Sequence, residues 1–366
     1  MAHLPTEIVH EILLYLPTPF HLAKMRTVCR RFNDIAIPVL HRHINLGSIT
    51  RASQCCLAID RSSAIAHAVR TFVVSPLAGE SHIDSPILIS LLDRMLFTMT
   101  RLEHLHLWLP TYDDAVYNSF TFLNFPALRR FGCHQPHPPV DHKLVAFFDH
   151  HPALTHLEII RPYLYVDQQS ESSALSELRL PALREYRGST TYFLRIAIAD
   201  RCLTQASFWD VPAKADLRPL FPAVAKATTT RRQFSLKFLW DGFLLDRVQA
   251  TVLAMIAQHL PNLQSHSRAV SIQRSSTELG SWPLMAPCAA VTNIGGTLTA
   301  LKHLAELHYD NPVDGVLRDG LDKQNVNNDR AVVTQWGERC PTLVSIQLHN
   351  RSWLRGRDGK FALAVV

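Results

Sequence analysis

The chain has 366 residues, 47% hydrophobic and 19% charged, with a formal net charge of +6. That length and apolar content predict a folded protein, one large domain beside a small one, and exclude a disordered tail or linker. Its seven cysteines are an odd number with no Cys-x-x-Cys pair, which suits free thiols in a reducing cytosol or nucleus rather than a disulfide frame.

Taken in chain order, the first segment is the most apolar for its length. After Leu4-Pro5-Thr6-Glu7 come Ile8, Val9, Ile12, Leu13, Leu14 and Leu16, before a break at Pro17 and Pro19. Pro5 suits a first helical turn, and Glu7 and Glu11 sit near the positive end of the helix dipole. Positions 8/12 and 9/13/16 form two apolar stripes, wider than one packing face requires. Leu22 and Met25 predict a short second helix. Val28, Cys29, Phe32, Ile35 and Ala36 predict a third, ending before Pro38. Three short helices cannot bury so much apolar surface alone, so the rest of the chain or a partner must cover it.

The order Leu4-Pro5-x-Glu7-Ile8, Ile12, Tyr15-Leu16-Pro17, Leu22 and Arg26-x-Val28-Cys29-Arg30-x-Phe32-Asn33-x-x-Ala36 resembles the F-box. Phe32 stands where many members carry Trp, so an aromatic is kept. The resemblance covers residues 1–46 and implies docking to a Skp-type adaptor, and through it to a cullin–RING ubiquitin ligase of the SCF type. It implies adaptor contacts at Leu4, Pro5, Ile8, Leu16, Leu22, Val28 and Phe32. Sequence does not separate those that dock from those that pack the helices together. The alternative is that the helices only cap the remainder of the chain, which would then be a protein-binding scaffold unrelated to ubiquitin.

Residues 47–366 repeat a loose strand-like pattern, at Val69/Phe72/Val74, Leu102/Leu105/Leu107, Leu154/Leu157/Ile159 and Leu343/Ile346/Leu348. Weaker copies begin at Leu128, Leu183, Leu203, Leu263 and Leu304. A Pro two residues before the Leu recurs at Pro126, Pro152, Pro181, Pro261 and Pro341. Helical spacing fills Ser53–Ala68, Pro86–Thr98, Lys143–His150 and Arg247–Leu260. One strand plus one helix per repeat predicts an α/β fold in which parallel strands form one curved sheet. The pattern resembles the degenerate leucine-rich repeats that follow the F-box in large fungal families. Non-repetitive α/β packing is the alternative. Gln135–Pro139, Ser265–Ser281 and Asp310–Arg330 read as breaks, the last as an exposed insertion. The tail from Arg351 reads as a short terminal turn.

No phosphate-binding Gly loop, nucleophile elbow or zinc-protease helix is present, so the chain is not expected to be an enzyme. A hydrolase with a spatially assembled site ranks behind the two binding readings. No cofactor is expected. Cys133, His134, His137, His142, His150 and His151 match no standard zinc spacing, and the histidines among them read as exposed loop residues. The basic points Arg129-Arg130, Arg231-Arg232 and Arg351/Arg355/Arg357 form no stripe, so a nucleic-acid partner is not expected. The longest uncharged run, Leu279–Leu301, holds two prolines and a Gly-Gly pair, so no membrane span is expected. The N-terminus shows no basic run followed by an apolar stretch, and no leader is expected.

Alternation along the strands places His104, His106, Trp108, His156 and Trp209 opposite the buried leucines. Aromatics interleaved with His and Arg make this strip the candidate substrate surface; solvated polar strand positions are the competing reading. The expected role is a non-enzymatic, cytoplasmic or nuclear subunit that docks an adaptor at one end and selects a protein substrate with the rest.

Overall fold

The computed structural model describes residues 4–16, 18–75, 85–108, 119–134, 141–160, 178–197, 203–210, 218–228, 235–240, 252, 254–256, 258–259, 269–274, 298–299, 304, 306–310, 322–348 and 351–364. They fall into two compact units, Met1–Ala182 and Leu183–Val366.

The first unit opens with three helices, α1 (Thr6–Leu14), α2 (Pro19–Met25) and α3 (Arg30–Leu40). Thr18 caps α2 by accepting a hydrogen bond from the His21 amide, and Pro19 occupies the first turn, where a missing N–H costs nothing. Helix α3 runs through Pro38 instead of stopping before it. The turn beyond Pro38 is closed by the His41 and Arg42 amides on Ile37 and Val39, and Val39 and Leu40 pack on the helical core. That packing offsets the bond Pro38 cannot make.

Strand β1 (His43–Leu46) follows at once. Then come α4 (Ile49–Asp60), α5 (Ser63–Ala68), β2 (Thr71–Val74), α6 (Ser85–Leu96), β3 (His104–Leu107), β4 (Arg130–His134), α7 (Asp141–Asp149) and β5 (His156–Ile160). The stretch expected as one helix from Ser53 to Ala68 is broken at Arg61-Ser62, where Ser62 caps α5. Strands β1 to β5 are parallel neighbours in sequence order. Their register aligns Ile44, Phe72, Leu105, Phe131 and Leu157 in one row, all buried.

Each strand starts two residues after an anchoring apolar side chain: Val69 before Thr71, Leu102 before His104, Leu128 before Arg130, Leu154 before His156. These anchors are buried. The recurrent Pro explains how the chain reaches the strand. The Leu128 and Leu154 amides donate to the Phe125 and His151 carbonyls at 2.9 and 3.1 Å. Each bond closes a four-residue turn with Pro in the second position, where its fixed φ is already correct. A second regularity ties strand to strand. The Arg42, Arg70, Glu103 and Arg129 carbonyls each accept two successive amides from the next strand's start, at 2.8–3.1 Å. Inside, the Phe131 ring lies 4.9 Å from Phe147 and 5.6 Å from Phe148 of α7, so the helix packs on the buried row.

The second unit continues the alternation. Strands β6 (Glu185–Ser189), β7 (Gln205–Asp210), β8 (Ser235–Trp240), β9 (Ala269–Arg274), β10 (Glu306–Asp310) and β11 (Ser345–Leu348) pair in parallel, in that order. Strand β9 lies inside the segment read as a break. The repeat copy beginning at Leu263 lies outside the described residues. Helices α8 (Thr190–Arg195) and α9 (Leu220–Ala227) accompany the first strands. Tyr186, Phe193 and Phe208 pack with ring centroids 5.1–6.0 Å apart.

Residues 311–321 of the supposed exposed insertion lie outside the described residues; residues 322–330 instead form the first half of the 18-residue helix α10 (Asp322–Arg339). Its Asn and Asp residues are poor helix formers, but Asp329, Val333 and Trp336 make a buried stripe that outweighs propensity. Asp329 is balanced by Arg351 at 2.7 Å. The tail is no simple turn: β12 (Arg351–Arg355) and β13 (Phe361–Leu363) add antiparallel strands after β11. Gly359, at φ 78°, makes the connecting turn possible. Arg355, one of the basic points of the sequence, donates to the Gly337 and Gly359 carbonyls at 2.8 and 3.1 Å and to Pro341 O.

One expected loop histidine is a core element. His151 is buried; its Nε2 accepts from the Phe125 amide at 2.9 Å and its Nδ1 faces the Phe147 carbonyl. The ring is therefore neutral with its proton on Nδ1, and protonating Nε2 would break the Phe125 bond. Burial lowers its pKa below the ordinary 6.5, the Phe147 bond opposes this and His150 adds to it. The unfolded chain therefore takes up the proton first. The contribution of His151 to stability is complete above about pH 6.5 and is lost as the pH falls through its lowered folded value. His151→Ala is expected to cost about 1–3 kcal/mol in urea unfolding at pH 7.5, because the Phe125 amide is left unpaired. It should also shrink the stability loss between pH 7 and pH 5; an unchanged acid-side slope would show that His151 does not drive it.

Candidate functional site

The three N-terminal helices divide their apolar residues into two sets. Val9, Leu13, Leu22, Ile35 and Ala36 form a buried core, with Leu16, Met25 and Phe32 packed against it. Outside it, Leu4 is 52% exposed, Ile8 47%, Ile12 48%, Tyr15 84%, Phe20 62% and Val28 62%. Ile8 and Ile12 lie one turn apart on α1, with Leu4 just before the helix and Tyr15 at its end, and all four are exposed. Of the residues matched to adaptor contacts, Leu4, Pro5, Ile8 and Val28 are thus accessible. Leu22 holds the core, and Leu16 and Phe32 are half-buried beside it.

Polar side chains lock this arrangement. Arg31 donates to the Leu4 carbonyl and, at 3.2 Å, to Thr6 Oγ1, pinning the start of α1 to α3. Arg26 Nε donates to Asn33 Oδ1 at 3.0 Å. Helix α1 therefore presents its outer stripe from a braced position. Residues 1–47 match the F-box-like family. F-box domains in general bind Skp-type adaptors of cullin–RING ligases. No curated protein matches the chain. The F-box-like match ends just past β1, so its last residues are already the first strand of the sheet.

The open face of that sheet carries the second candidate surface. Register places His43, Thr71, His104, Arg130 and His156 in one row, and Asn45, Val73, His106, Gly132 and Glu158 in the next. His104, His106 and Trp108 lie side by side, with ring centroids 6.2 Å and then 4.6 Å apart. All three are half-buried, as is His156. Burial, then Arg130 and His156, lower the pKa of His104. Trp209 lies in β7, in the second unit; its side chain is outside the described residues.

Sequence reasoning missed how this face is built. His106 Nδ1 comes within 3.9 Å of Glu158 Oε2, although β4 runs between their strands; the side chains are 14% and 17% exposed. Two strand spacings are about 9.6 Å, so the pair meets only because Gly132 offers no side chain. A Cβ there would sit 2.8 Å from His106 Nδ1. The lone Gly in a strand was the available signal.

Reactive chemistry is not prominent. Burial raises the Cys55 pKa. The Cys56 thiol is pushed up to about 12 by burial and by Cys55, so neither supplies a thiolate at neutral pH. Among the described residues no three His, Cys, Asp or Glu side chains cluster to hold a metal.

Gly132→Val is expected to drive His106 off β4 and away from Glu158. In the wild-type protein, Glu158→Gln should move the His106 imidazole resonances in a two-dimensional nitrogen spectrum. In the Gly132→Val background it should not; an equal response in both would show that the glycine gap does not govern the pair.

Proposed function

We propose that this protein is the substrate-recognition subunit of an SCF-type ubiquitin ligase. The observation that carries the reading is the split of α1. In a segment matching the F-box-like family, Val9 and Leu13 hold the fold while Leu4, Ile8 and Ile12 face outward. A braced helix with a surplus apolar face fits the role of docking a Skp-type adaptor. Leu4, Pro5, Ile8 and Val28 make the contact, and Leu16, Leu22 and Phe32 shape it from beneath.

The strand–helix array beyond the F-box serves as a degenerate leucine-rich repeat. The anchor-plus-two rule, the Pro turns and the paired carbonyl bonds support that reading. Its open face, with His104, His106, Trp108 and His156, binds a protein substrate, and Trp209, in β7 of the second unit, belongs to the same assignment. The chain itself performs no catalysis, which the partner ligase supplies, and it works in the cytosol or nucleus. Free cysteines on the described residues agree with that setting.

The rival scaffold reading draws on one observation, that β1 already belongs to the sheet, as a cap would require. Co-purification with the adaptor separates the two. Replacing Pro5 and Ile8 together by Ala should weaken adaptor binding by about 2 kcal/mol or more while far-UV dichroism stays unchanged. Leu13→Ala, by contrast, should cost about 2–5 kcal/mol of folding stability. Adaptor binding at wild-type strength in the Pro5/Ile8 double variant would overturn the docking assignment.

The substrate surface has its own test. Trp108→Ala should weaken capture of the substrates that co-purify with the wild-type chain by about 2 kcal/mol, with adaptor binding untouched. Unchanged capture would remove Trp108 from that surface.

A further inference from the structure

We propose that a cleft between the N-terminal helices and the first strands binds a small phosphate-bearing anion, which ties the two together. The cleft has a volume of about 290 Å³ and is walled by Arg42, Arg70, Arg101, His10 and His67, with Val39 at its apolar side. These residues come from every element that meets there: His10 from α1, Val39 from α3, Arg42 just before β1, His67 from α5, Arg70 just before β2 and Arg101 just before β3.

The backbone ladder is what gathers the charge. The Arg70 and Thr71 amides both donate to the Arg42 carbonyl, at 2.9 and 3.0 Å, so Arg42 and Arg70 precede neighbouring strands at the same level. Neighbouring strands lie about 4.8 Å apart, and like charges at matched positions repel. The fold nonetheless keeps both and adds Arg101. Burial lowers the pKa of Arg70 first, Arg101 lowers it further, Glu103 opposes this and Arg42 adds to the lowering. Among the described residues two carboxylates stand nearby: Glu103, 3.4 Å from Arg70 Nε, and Glu11, 4.0 Å from His10 Nδ1. Among those residues Glu103 pairs with Arg70. The Arg42 and Arg101 guanidinium groups form no ion pair among the described residues.

An anion in the cleft relieves that repulsion, and a planar guanidinium grips two oxygens of one phosphate at once. A phosphate group carries about −1.5 to −2 at neutral pH, more charge than a carboxylate brings. The occupant spans α1, α5 and the strand starts, so its binding energy adds to the stability of the whole junction. This role is independent of adaptor docking, because His10 and Arg42 are not among the residues assigned to that contact.

The test is calorimetric titration and thermal unfolding of the full chain with sodium pyrophosphate, and separately with inorganic phosphate, against sodium chloride at matched ionic strength. Pyrophosphate should bind with measurable heat and raise the melting temperature beyond the chloride control; phosphate alone should do so more weakly if two phosphate groups share the cleft. The Arg42→Gln/Arg101→Gln double variant should lose about tenfold or more in affinity while its unliganded melting temperature holds or rises. Arg101→Gln alone provides the same reading if the double variant folds poorly. Glu103→Gln should bind about threefold tighter, since a competing carboxylate is gone. A melting shift no larger than that of chloride, an unchanged affinity in the arginine variants, or weaker binding by Glu103→Gln would each overturn the proposal.

Discussion

The constraint on which the rest depends is the parallel ladder, and in particular the doubled acceptance by one carbonyl at the start of each strand. With Arg42, Arg70, Glu103 and Arg129 each receiving two amides from the next strand, the starting level of each of β2 to β5 is set by its predecessor. A slip of one residue would turn Phe72, Leu105, Phe131 and Leu157 out of the core together, so register and burial enforce each other. The Pro turns before β4 and β5 deliver the chain at that level with little entropy left to lose. From this one relation follow the buried aromatic stack beneath and the polar rows above.

The same relation explains why functional groups accumulate in lines. A side chain at a given strand position meets its counterparts on both neighbours, so His43, Thr71, His104, Arg130 and His156 share a row. The arginines before the strands crowd for the same reason. Gly132 is the point where the ladder is used in the opposite sense: leaving one position empty lets His106 and Glu158 communicate across an intervening strand. At the N-terminal end the logic is helical instead. Two adjacent stripes of α1 are equally greasy; Val9 and Leu13 pack inward, and the clamp from Arg31 to Leu4 and Thr6 holds the helix in that setting.

Much of the architecture was legible in the residues. Buried leucines with a Pro two positions earlier mark where strands begin, because both the turn and the anchor leave a side-chain signature. The helices of the first unit were legible from their spacing, but not the break between α4 and α5 or the run of α3 through Pro38. The division of α1 was not, since Ile8/Ile12 and Val9/Leu13 carry equal hydrophobicity and only tertiary contacts tell them apart. Strand β1 was hidden by its brevity and polar flanks, β8 fell in an apparent gap between repeat copies, and α10 was masked by Asn and Asp residues whose propensity the Val333–Trp336 stripe overrides. His151 looked like a loop residue because a histidine's burial depends on backbone partners that sequence does not display. The candidate substrate rows were legible as alternation; the Gly132 gap that shapes them was visible only as an isolated glycine.

Strand β1 carries a mechanical consequence. It lies within the segment matching the F-box-like family, yet it hydrogen-bonds to β2, and no tether separates α3 from the sheet. Whatever grips the outer stripe of α1 therefore holds the first strands as one lever, with no joint in which thermal bending could dissipate the orientation. A cut after residue 46 would not release a self-contained module. It would tear off the sheet's first strand and leave β2 as a raw edge, open to pairing with another chain.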